Sequence, residues 1–101
     1  MRFLFKISIP VEAGNKAAKD GFSIIAKILE QQKPEAAYFI AENGMRTGIV
    51  IMEMSDVSQL PSIAEPWFLG LNASIEATPA MIPDDLKKAA PAVQQAVKQF
   101  G

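Results

Sequence analysis

Seven segments of this chain switch between two periods in one order: strand, helix, strand, tight turn, strand, helix, strand. Residues 2–9 alternate, with Phe3, Phe5, Ile7 and Ile9 on one face and Arg2, Leu4, Lys6 and Ser8 on the other, the mark of a strand. Pro10 ends it, because proline donates no ladder hydrogen bond. From Asn15 to about Gln32, Ala18, Phe22, Ile25 and Leu29 recur at helical spacing. Gly21 lies inside that stretch, and a close helix–sheet approach would explain it. After Pro34, residues 36–42 alternate again. Asn43-Gly44 is a strong hairpin signal. The next strand, about 46–54, is nearly all apolar, as expected of a central strand covered on both sides.

Asp56 with Gln59 three residues later forms a capping box opening the second helix. Pro61 and Pro66 are expected to cut that helix into short pieces. Residues 72–78 make the fourth strand. Between 83 and 100, Leu86, Ala90, Val93, Val97 and Phe100 form one apolar stripe, which Pro91 is expected to kink.

The order βαββαβ is that of a ferredoxin-like sandwich, an α+β fold with a four-stranded antiparallel sheet. Residues 1–80 form this core and 83–100 add a C-terminal helix, all within a single domain of 101 residues. Two helices cover one face of the sheet. The other face needs a second cover, and a second copy of the chain is the simplest one.

With Phe3, Phe5 and Ile7 toward the helices, the opposite face carries Leu4, Lys6 and Ser8, then Tyr38, Ile40 and Glu42. It also carries Ile49, Ile51 and Glu53, then Ser74, Glu76 and Thr78. A monomer would expose an apolar patch with charges embedded in it. Closed by a second sheet, the patch becomes an interior holding Lys6, Glu53 and Glu76, and buried charges must pair or neutralise. A Lys6–Glu cluster is therefore expected.

Composition narrows the chemistry. The chain has neither Cys nor His. That removes thiolate nucleophiles, Cys/His zinc sites, catalytic triads and imidazole acid–base catalysis. Proton transfer would fall to carboxylates, Lys, Tyr or water. A net charge of −1 without a basic cluster argues against nucleic acid as a partner. No apolar run approaches the roughly 20 residues of a membrane span, and Lys6 interrupts the N-terminal apolar residues well short of a secretory core. The expectation is a cytoplasmic protein with no membrane partner and no cofactor.

The chain resembles the dimeric α/β-barrel superfamily, and within it an uncharacterised family of short proteins. The shared pieces are Gly48 and Glu53 on the third strand, Asp56, Pro66-Trp67 with Leu71, and Glu76-Ala77-Thr78-Pro79, over about residues 2–80. The resemblance implies two subunits packed sheet to sheet around a cavity. The superfamily includes monooxygenases, isomerases, dehalogenase-like and haem-degrading enzymes, and many of its enzymes place His in the cavity, which this chain lacks.

Three functional readings stay open. The first is a homodimer binding a small, partly apolar molecule through Lys6, Tyr38, Glu53, Trp67 and Glu76. The second is a cofactor-free isomerase- or monooxygenase-like enzyme with Glu53 or Glu76 as base, its carboxyl pKa raised by burial. The third is an interaction module that uses the 83–100 stripe. Trp67 reads either as a cavity wall or as an anchor of its helix. Arg46 reads as an exposed hairpin cation, with an anionic ligand as the sharper alternative.

Overall fold

The computed structural model describes residues 1–101. Its strands are β1 (Arg2–Ile9), β2 (Ala36–Glu42), β3 (Met45–Glu53) and β4 (Ser74–Pro79). Its helices are α1 (Val11–Lys19), α2 (Ser23–Gln32), α3 (Leu60–Leu71) and α4 (Pro83–Phe100), with a short 3-10 turn at Val57–Gln59. The strands form one antiparallel sheet in the order β2-β3-β1-β4. The ferredoxin-like α+β arrangement expected from the pattern is the observed one.

The register confirms which residues share a face. Phe5 lies opposite Val50 on β3 and Ala77 on β4. Phe39 lies opposite Gly48, which lies opposite Ile7. This is the helix-covered face. Phe5, Ile7, Ile9, Val50 and Met52 are buried there against Ala17, Ile25, Ile28, Ile63, Trp67 and Leu71 from α1, α2 and α3. Gly48 is small because the Phe39 ring crosses it; a Cβ there would stand 3.1 Å from Phe39 Cε1.

The single helix expected over Asn15–Gln32 is two helices. α1 starts directly after Pro10, and the chain turns at residues 20–22. The Phe22 amide donates to the Ala17 carbonyl and the Gly21 amide to the Ala18 carbonyl, at 2.9 and 3.0 Å, the bond pair of a Schellman stop. Gly21 (φ 63°) and Phe22 (φ 59°) are both left-handed. Gly21 is thus a turn residue and not a close-approach residue: a Cβ there would meet nothing within 4 Å. The stripe read across the break arises because both helices lie on the same sheet face.

The helix after Asp56 is also more regular than its prolines suggest. The capping box forms: Asp56 Oδ1 accepts from the Ser58 amide at 2.8 Å, and Gln59 Oε1 accepts from the Asp56 amide at 3.3 Å. Pro61 sits in the first turn of α3, where its missing N–H costs nothing. Pro66 lies inside α3, which stays continuous. An interior proline costs a helix hydrogen bond, and burial of Ile63, Ala64, Trp67 and Leu71 against the sheet offsets that loss.

α4 runs unbroken through Pro91. No residue of it is buried, and Val93, Val97 and Phe100 are 59%, 61% and 85% exposed. The molecule measures 57 × 28 × 20 Å with a radius of gyration of 17.0 Å, against about 13 Å for a compact domain of this length. α4 therefore projects from the core and does not close its own sheet.

Candidate functional site

The uncovered face of the sheet is built in rows. Glu76, Lys6, Ile49 and Tyr38 form one row across β4, β1, β3 and β2, and Thr78, Leu4, Ile51 and Ala36 form the next. A third row holds Ser74, Ser8, Thr47 and Ile40. Leu4, Ile49 and Ile51 are half-buried within the sheet surface, while Tyr38 and Ile40 are exposed. The face is apolar along β3 and β2 and at Leu4, with polar groups on the rest of β1, on β4 and at its ends.

Lys6 has a partner, and it is neither Glu53 nor Glu76. Its Nζ stands 2.9 Å from Glu42 Oε2. The hydrogen bond from Lys6 to Glu42 holds the ammonium above the usual lysine range, and the charges of Glu42 and Glu76 add to this against partial desolvation. Glu76 sits directly beside Lys6 in the β1–β4 register. The cluster is therefore Lys6–Glu42 with Glu76 alongside. Glu42 lies on the open-face side of its strand, which the alternation shows, but nothing in the alternation shows how far Lys6 reaches.

Glu53 lies elsewhere. It pairs in register with Arg2, four residues along β1 from Lys6, or about 13 Å away along the strand. The Met1 ammonium binds its Oε1 at 2.9 Å. Glu53 and Glu76 are thus not a carboxylate pair within one subunit. Arg2 is engaged by Glu35, its Nε and Nη2 both 2.8–2.9 Å from Oε1. That fork raises the guanidinium pKa, the hydrogen bond being its first cause.

Trp67 does not belong to this face. It is completely buried in the helix-side core. Its Nε1 donates to Gln32 Oε1 at 3.3 Å, and Gln32 Nε2 donates to the Ile63 carbonyl at 2.8 Å. The indole ties α3 to α2, which is the anchor reading and not the cavity-wall reading. A sequence shows that Trp67 lies on a helix, but which sheet face that helix covers is a tertiary matter.

Thr47 is the residue on the open face that the sequence reading passed over. It is 1% exposed, although its row faces away from the helices, and its Oγ1 donates to the Met45 carbonyl at 3.2 Å. Of the five residues expected to bind a ligand, the structure brings Lys6, Tyr38 and Glu76 into one row. Glu53 sits at the end of the sheet and Trp67 behind it. Lys6, Tyr38 and Glu76 line none of the three principal surface pockets. No helix is long and apolar enough to cross a membrane.

No curated protein matches the chain. A family model described as a domain of unknown function, DUF3303, matches residues 1–96 and so spans the whole sandwich and most of α4. The chain belongs to the DUF3303 family.

Proposed function

We propose that the protein is a homodimer in the manner of the dimeric α/β barrels, closed through the open sheet face, whose shared cavity binds a small, partly apolar molecule. One observation carries this reading: Leu4, Ile49, Ile51, Tyr38 and Ile40 form a continuous apolar field, and the one spare helix of the chain buries none of its residues. A second copy supplies an identical field, and a two-fold axis brings like against like.

The residues then suggest what the cavity would hold. Its centre is aliphatic, and its polar groups are the Tyr38 hydroxyl, the Lys6–Glu42 pair and Glu76. Such a lining suits a compact ligand with an apolar body and one or two hydrogen-bonding groups. The ion pair is already matched within the subunit, so closing the interface need not leave either charge unpaired.

Native mass spectrometry of the purified protein, followed by denaturing analysis of the same sample, tests the reading. A dimer carrying a small molecule lost on denaturation supports it. A monomeric mass overturns it. Ile51→Lys places a charge in the centre of the field and is expected to give a folded monomer; an unchanged dimer mass would refute the sheet-to-sheet contact.

A further inference from the structure

A second apolar surface lies at the β2 edge of the helix-covered side, and it carries a cation with no acidic partner. The groove between α2 and β2 has a volume of about 590 Å³, within the roughly 300–1,000 Å³ of small-molecule sites. Phe22, Ile25 and Leu29 form one wall, and Phe39 and Ile40 form the other. Eight of its ten lining residues are hydrophobic, and Arg46 is its one charged residue.

Arg46 is held in place. Its Nη1 donates to Asn15 Oδ1 at 3.1 Å, and its guanidinium carbon stands 5.8 Å from the centroid of the Phe22 ring. Its stem crosses Gly14, where a Cβ would come within 2.7 Å of Nη1. The left-handed turn at Phe22 sets the ring beneath the cation. The four ion pairs of the protein engage Met1, Arg2, Lys6 and Lys88, and Arg46 is in none of them. An exposed arginine ordinarily moves freely or finds a carboxylate. This one is positioned at the edge of an apolar groove with most of its donors free, and a planar guanidinium matches a carboxylate in bidentate geometry.

We propose that the groove binds an alkyl carboxylate, its chain against Phe22, Ile25, Leu29 and Phe39 and its head group on Arg46. A phosphate or nucleotide fits less well, because no second cation or glycine-rich loop adjoins the guanidinium. The groove shares only Ile40, on the edge strand, with the open sheet face, and all of its lining comes from one subunit.

The test is calorimetric titration with dodecanoate and with dodecanol, both below their aggregation limits. Dodecanoate is expected to bind at least about tenfold more tightly, the increment of a hydrogen bond to a charged group. Arg46→Gln should abolish that preference while leaving the far-ultraviolet circular dichroism intact. Ile51→Lys should leave dodecanoate binding unchanged, which separates this site from the cavity proposed above. Equal affinity for acid and alcohol, no binding of either, or an Arg46→Gln variant that still prefers the acid would overturn the proposal. So would occupation of the groove by α4 of a second copy. The chain lacks cysteine, so Leu29→Cys with Val97→Cys would report that occupant as a disulfide-linked dimer.

Discussion

The two faces of the sheet are made by the same strands and meet opposite fates. Phe5 and Leu4 are neighbours on β1 and point to opposite sides. Phe5 is 1% exposed beneath three helices, whereas Leu4 stays half-buried on a face that nothing covers. β3 shows the same contrast, with Val50 and Met52 buried on one side and Ile49 and Ile51 at the surface of the other. Apolar content alone does not decide burial. The short connections of a βαββαβ chain place both crossovers on one side of the sheet, and the opposite side is left uncovered within the subunit.

The largest expected effect breaks the covered side. Phe5→Ala removes a ring packed within the core and should cost about 3–5 kcal/mol in urea unfolding. A loss below about 1.5 kcal/mol would mean that the helices do not pack tightly on this face. Next comes the turn that lets α1 and α2 lie on that face together. Gly21→Ala puts a Cβ on a left-handed residue and should cost about 1–2 kcal/mol; a neutral result would show that the turn relaxes to another conformation. On the open side, Leu4→Ala should cost only about 1 kcal/mol at high dilution, since part of the side chain stays in water in the monomer. Its cost should grow with protein concentration if a second copy covers the face, and concentration independence would argue against that cover.

Two smaller effects sharpen the same contrast. Hydrogen bonding from the Ser58 side chain and then from its amide, set against desolvation, holds the Asp56 carboxyl below its ordinary pKa. A depressed carboxyl adds stability above its unfolded pKa, near 4, and loses it as pH falls through the lower folded value. Asp56→Asn should therefore flatten the acid limb of the stability–pH curve below about pH 4, while an unchanged limb would exclude Asp56 as a contributor. Deleting residues 83–101 should leave the unfolding midpoint at high dilution unchanged, because α4 buries none of its residues on the core. A lowered midpoint would show that α4 folds back on its own domain.

Much of this was legible in the chain. Alternation over residues 2–9 and 36–42 separated the two faces correctly, because side chains in a strand have a period of two and no other reading fits. Asn43-Gly44 located the hairpin, and both residues have the positive φ that its turn requires. Asp56 and Gln59 announced their cap. The first helix was misread because Phe22 and Ile25 keep helical spacing across a break that only the left-handed turn reveals. Gln32, Glu42 and Asn15 were not seen as the partners of Trp67, Lys6 and Arg46. Each pair lies about thirty or more residues apart in the chain, and local patterns carry no information at that separation.

By itself, the sequence determined the order of the elements, the apolar alternation of each strand and the chemistry the chain forgoes by lacking Cys and His. These are local properties, set by backbone period, turn stereochemistry and side-chain type. The tertiary structure decided that Trp67 is an anchor within the core, that Glu53 stands apart from Lys6 and that α4 leaves the domain. It also decided that Arg46 sits over Phe22 beside an apolar groove. Those outcomes follow from how helices cross the sheet and how far long side chains reach, which depend on the packing of the whole chain at once.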